Sequence, residues 1–148
     1  MYYLDGNLEL AEEEFKIALN LNPNERLTHN NFGLIYMNKG EFERAEEEYN
    51  KELEINPYYE NAYTNKAILF YKTERIEEAL DAWEKTLEIN PTYSEALYNL
   101  FVYYYQKQDK ENALYWAKQT RDRGVPILPE MQNILNPLGG TLNLPLRK

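Results

Sequence analysis

The sequence contains no cysteine. It therefore has neither a disulfide framework nor a thiolate metal site, and a cysteine-free chain fits a reducing, cytoplasmic setting. It has a single histidine, His29. Without a second imidazole or a thiol, transition-metal sites and histidine-based catalytic triads have no donors to draw on. Glycine is scarce, at 6 residues of 148, and no glycine-rich phosphate loop is present: Gly139-Gly140 is not followed by Lys-Ser/Thr. No apolar run approaches the roughly 20 residues that cross a bilayer. The opening stretch, Met1 to Gly6, has neither the basic region nor the apolar core of a secretion signal. Basic side chains are outnumbered, 16 against 25 acidic ones, for a net charge of −9. Such a chain repels phosphate backbones, which argues against nucleic acid as a partner.

The charge that is present is lopsided. Residues 1–60 carry 14 acidic and 5 basic side chains, and residues 61–148 carry 11 of each. The first half reads as a solvated acidic face, with a basic partner as the sharper alternative. Tyrosine is abundant, at 14 residues, a side chain suited both to helix packing and to amphipathic binding surfaces.

The dominant feature is a period. Asn22-Pro23, Asn56-Pro57 and Asn90-Pro91 lie 34 residues apart, each after a Leu or Ile: Leu21, Ile55, Ile89. A fixed period in this range is the mark of a stacked-repeat protein. Within residues 25–57, Leu27, Asn31, Leu34, Ile35, Met37 and Asn38 share helical spacing, and Gly40 then interrupts. Residues 41–55 place Phe42, Ala45, Tyr49 and Leu53 three and four apart, an amphipathic helix whose acidic first half complements the helix dipole. Pro57 cannot continue that helix and turns Asn56 away from helical angles. The same pattern predicts helices over 59–72 and 75–89, with Ile76, Ala79, Trp83 and Leu87 inward and Thr73-Glu74 replacing the glycine turn. It predicts helices again over 93–106 and 109–123, with Ala113, Trp116, Ala117 and Thr120 inward. A partial unit precedes them, in which Leu8, Ala11, Phe15, Ala18 and Leu19 form a helix ending at Asn22-Pro23.

These residues resemble the tetratricopeptide repeat (TPR) family. The first full unit matches with Phe32, Gly33, Tyr36, Ala45, Tyr49 and Pro57. The second matches with Tyr63, Ala67, Phe70, Ala79, Trp83 and Pro91, the third with Leu97, Leu100, Tyr104 and Ala113. The opening fragment matches with Tyr2, Gly6, Ala11, Phe15, Ala18 and Pro23. The resemblance covers about residues 1–123 and implies an all-α, right-handed superhelical solenoid. Its parts are a partial repeat over 1–24, repeats over 25–58, 59–92 and 93–124, and a capping segment with tail over 125–148. Departures stand out. His29 and Lys66 replace an aromatic and a leucine, and Glu52, Thr86 and Thr120 occupy a late small position. Phe101 stands where Gly33 and Ala67 stand, while Ala117 stands where Tyr49 and Trp83 stand. Large and small have changed places across the two helices, which would conserve core volume.

After Arg123 the period fails. Gly124 is expected to end the last helix in a left-handed cap. Pro129 is expected to open a short capping helix through Leu135, and residues 141–148 alternate around Leu142, Leu144 and Leu146. This tail is too apolar for a solvated linker. It either caps the last repeat or lies in a groove of its own chain or of a neighbour.

No constellation suggests catalysis. His29 falls on an inward position, and the acid clusters 12–14 and 46–48 recur with the repeat, as scaffold does, so the chain is expected not to be an enzyme and to need no cofactor or metal. The TPR resemblance implies a concave groove lined by the first helix of each pair. Carried over by position, it holds Asn30, Asn31, Leu34, Met37 and Asn38, then Thr64, Asn65, Ile68, Tyr71 and Lys72, then Tyr98, Asn99, Val102, Tyr105 and Gln106. Asn31, Asn65 and Asn99 form a ladder of amides that can donate to and accept from a peptide backbone or bond neighbouring helices. The clamp for carboxylate tails is not matched: its positions read Asn30, Leu34, Asn65, Glu95 and Asn99, without the basic residues. The expected function is a scaffold holding a basic or apolar segment of a partner protein. Alternatives are self-assembly through the N-terminal helix or the C-terminal tail, or an accessory domain of a larger enzyme.

Overall fold

The computed structural model describes residues 8–22 and 28–136, all of them helix or connecting turn. The expected remnant before Leu8 and the tail beyond Asn136 lie outside the described residues. Eight helices follow in order among the described residues: α1 (Leu8–Leu21), α2 (Thr28–Lys39), α3 (Phe42–Ile55), α4 (Glu60–Lys72), α5 (Ile76–Ile89), α6 (Ser94–Gln106), α7 (Lys110–Asp122) and α8 (Pro129–Leu135). The chain divides into two compact units between Pro91 and Thr92.

In the first unit α2 packs on α3 and α4 on α5, and α2 and α4 lie side by side. The core is the inward stripe: Phe32, Ile35, Tyr36, Ala45, Tyr49, Ala67, Phe70, Ala79, Trp83 and Leu87 are all buried. Helices end where the Asn-Pro pairs stand. Asn56 and Asn90 leave the helix at nearly the same angles, φ −132°, ψ 85° and φ −130°, ψ 92°, because the following proline excludes the helical region. The turns inside the hairpins repeat as well. Gly40 takes φ +76°, and Glu74 and Gln108, one and two periods on, take φ 62° and 59°. The left-handed step is thus fixed by the fold even where a side chain makes it costly, by about 1 kcal/mol.

Ion pairs tie the helices of this unit together. Arg75, the residue before α5, bonds Glu46 of α3 and Glu78 of α5 (2.6 Å each) and lies 4.2 Å over the Phe70 ring. His29 of α2 meets Glu48 of α3 at 2.6 Å. Lys66, in a leucine's usual place, reaches Asn50 at 2.7 Å, and burial pulls its pKa down. Glu12 of α1 bonds Lys16 at 2.7 Å and Lys39 of α2.

These two bonds, Lys16 first and then Lys39, hold the Glu12 pKa down at about 2, from an ordinary 4.5. A carboxyl depressed in the folded state stabilises above its unfolded pKa and ceases to do so as pH falls through the folded one. The stability difference between the wild type and Glu12→Gln is therefore expected to shrink between pH 4.5 and pH 2. Urea unfolding at a series of pH values measures it, and a difference that does not change with pH would exclude the coupling.

In the second unit α6 packs on α7 and α7 on α8. Leu97, Leu100, Phe101, Ala113, Trp116, Ala117 and Met131 form its core. Asp109 caps α7 by accepting from the Asn112 N–H at 3.1 Å. Gly124, at φ +72°, ends α7, and Pro129 opens α8 at its first turn. One expectation is corrected here: the period does not fail after Arg123. Met131 lies one period beyond Leu97 and is fully buried as Leu97 is. Helix α8 is thus a first-type helix in register, cut to 7 residues where α6 has 13. Pro126 and Pro129 hide it in the sequence, because they break the helical spacing around it.

Candidate functional site

The expected groove residues separate into three kinds. Asn30 and Thr64 are buried, 5% and 2% exposed, and have almost no surface to give a ligand, a correction to their placement in the groove. The reason is local chemistry. The Asn30 N–H, in the first turn of α2, donates to the Glu52 carboxyl at 3.2 Å, and Glu52 is wholly buried. One period on, the Thr64 and Thr86 hydroxyls bond each other at 3.2 Å. The position pair therefore closes each hairpin from within, with a carboxyl in one and a hydroxyl in the next.

A second kind is half-buried and committed to the scaffold on one side. Asn65 Nδ2 donates to the Asn30 Oδ1 at 2.9 Å, so this amide of the expected ladder joins α4 to α2. Asn31, Leu34, Met37 and Ile68 are half-buried in the same unit, and the Tyr49 hydroxyl reaches the Met37 sulfur at 3.9 Å. In the second unit Tyr98, Asn99 and Val102 are half-buried. The Tyr98 hydroxyl donates to the Pro126 carbonyl at 2.6 Å, fastening the chain before α8.

The third kind faces solvent: Asn38, Tyr71 and Lys72 in the first unit, Tyr105 and Gln106 in the second. Asn38 donates to the Leu34 carbonyl at 2.9 Å. Tyr71 and Tyr105 hold the same repeat position and are 41% and 45% exposed, large for aromatic residues. Tyr71 leans on Trp83, ring centres 5.9 Å apart, and Tyr105 on Phe101, at 5.3 Å. Each exposed ring is thus braced from behind by a buried one.

Sequence reasoning missed Asn133. It lies one period beyond Asn99, is exposed, and lines a cleft with Tyr105. Counting 34 onward past Arg123 would have found it. Among the described residues no group of His, Asp and Glu is placed to hold a metal ion, and no helix is long and apolar enough to cross a membrane. On α1, Leu10, Ile17 and Leu21 are exposed.

Two models of the tetratricopeptide repeat match the sequence, over residues 27–59 and 60–93. The chain belongs to the tetratricopeptide repeat family. Solved structures agree in fold. MamA is 23% identical with a TM-score of 0.67, over 80% of this chain and 69% of that one. YrrB, described as a TPR protein with an unusual peptide-binding site, is 24% identical with a TM-score of 0.63, over 72% and 56%. A TPR protein from Parabacteroides merdae is 25% identical with a TM-score of 0.73, over 91% and 55%. The chain thus spans between 55% and 69% of the length of these three proteins. No curated protein matches the sequence. With its TPR units and TPR-fold neighbours, the chain is an interaction scaffold for proteins or peptides.

Proposed function

We propose that this TPR chain holds a segment of a partner protein against the exposed side of its first-type helices, and that it does so without catalysing a reaction. The observation that carries this is the recurrence of a braced, solvent-facing tyrosine, Tyr71 and Tyr105, at one repeat position in two units. An aromatic ring held rigid by a buried neighbour loses little entropy on binding and presents both an apolar face and a hydroxyl, the chemistry of an interface hot spot. In the first unit, half-buried Leu34 and Ile68 offer apolar contact beside Tyr71. Asn65 keeps its carbonyl oxygen for a ligand N–H while its amino group stays on Asn30. In the second unit Val102, Asn99 and Gln106 play the same parts beside Tyr105. A YrrB-like peptide-binding role is consistent with this arrangement.

The test is a peptide selected from a displayed library against the full chain, with affinity then measured by calorimetry. Tyr71→Ala combined with Tyr105→Ala is expected to weaken binding at least about ten-fold, in the range of hot-spot truncations, with an unchanged thermal melt because both side chains are exposed. Unchanged affinity would place the binding surface elsewhere.

A further inference from the structure

Helix α8 is too short to cover what lies beside it. In the first unit α4, at 13 residues, runs beside α2. In the second, α8 stops after 7, and a cleft of about 430 Å³ opens between α8, the last turn of α6 and the first turn of α7. Tyr105, Ala113 and Ile134 give it apolar walls. Asp109 and Glu130 put two carboxyl groups on its lining, against one cation, Lys110, among the described residues.

The chain itself continues from this place. Asn136 caps α8 two residues past Ile134, and residues 137–148 follow. Twelve residues extend to about 40 Å, ample for a cleft lined by the helix they leave. Their composition complements it. Leu142, Leu144 and Leu146 alternate with Thr141, Asn143 and Pro145, so an extended segment turns the three leucines to one side. Arg147 and Lys148 then supply the charge that Asp109 and Glu130 lack.

We propose that residues 137–148 occupy the α6–α7–α8 cleft of their own chain as an internal ligand. The leucines face Tyr105, Ala113 and Ile134, and Arg147 and Lys148 face the two carboxyl groups. A partner then reaches Tyr105 only by displacing this segment, a clause that rests on the function proposed above. A tethered ligand acts at an effective concentration of order millimolar, so it excludes a weak competitor without binding tightly itself.

The test uses the full chain. A fluorescein-labelled peptide of residues 137–148 is titrated into the wild type and into Leu142→Ser/Leu144→Ser/Leu146→Ser, with anisotropy as readout. The triple variant is expected to bind the peptide about ten-fold or more tightly than the wild type, and adding Ile134→Asp is expected to abolish that binding. Equal affinities, or no binding by the triple variant, would overturn the proposal. So would a wild-type dimer in sedimentation that the three serines dissociate, since the segment would then dock on a second copy. No partner enters this assay, so its failure leaves the Tyr71 test standing, and failure of that test leaves this one standing.

Discussion

Phe101→Gly alone is expected to cost about 4 kcal/mol, and Ala117→Tyr alone about 3 kcal/mol, while the two together recover at least half of the sum. The first unit shows why. A Cβ built on Gly33 would stand 2.3 Å from Tyr49 Cε1 and 2.6 Å from Cδ1, and Tyr49 is wholly buried with nowhere to retreat. The tyrosine ring fills the space a side chain at 33 would need. One period on, Ala67 and Trp83 divide the volume similarly, both buried. Two periods on, the shares are reversed: Phe101 is 1% exposed and Ala117 is fully buried. Since protein interiors are packed near crystal density, glycine at 101 leaves a cavity and tyrosine at 117 overfills. The double variant rebuilds the arrangement seen at Gly33 and Tyr49. Urea unfolding of the wild type, both single variants and the double variant gives the coupling directly. Additive losses would mean that the two positions do not share one space.

Glu52→Ala is expected to lower stability by about 3 kcal/mol, combining a small cavity with an orphaned buried N–H on Asn30. Glu52→Thr is expected to lose less, because threonine does this work at position 86, where its hydroxyl meets Thr64 and donates to the Ala82 carbonyl at 3.0 Å. The carboxyl sits at the first turn of α2, where a helix presents unpaired N–H groups and the positive end of its dipole. That setting explains how a wholly buried acid is tolerated at a position that elsewhere takes a small residue. Amide exchange separates this from a general loosening: the Asn30 N–H should exchange faster in the alanine variant well below the unfolding midpoint. An alanine variant as stable as the wild type would show that the buried carboxyl contributes nothing net, as replacing buried charges sometimes does.

Most of the fold was legible before any coordinate. Helices expected over 41–55, 59–72, 75–89, 93–106 and 109–123 start one residue later in the structure, because Glu41, Tyr59, Arg75, Tyr93 and Asp109 are the caps that precede them. The period was legible too, but only where Asn-Pro marked it. At residue 125 a valine stands in the proline's place, and the buried Met131 and exposed Asn133 went unrecognised. The surface was less legible. Asn30 and Asn31 are adjacent in sequence and alike in chemistry, yet one is buried and the other half-buried. Asn65 looks like its repeat-mates but spends its amino group on Asn30, 35 residues earlier.

The sequence by itself determined the module: two helices, a left-handed step between them, a stop at Asn-Pro, and a copy 34 residues later. These depend on φ/ψ preferences and on hydrogen bonds spanning three or four residues, which a local string encodes. Only the tertiary structure decided which polar side chains are consumed as scaffold, how Glu52 is buried, and where a truncated helix leaves a cleft. Those outcomes depend on which helices meet and on how far each one extends beside its neighbour, and no single repeat carries that information.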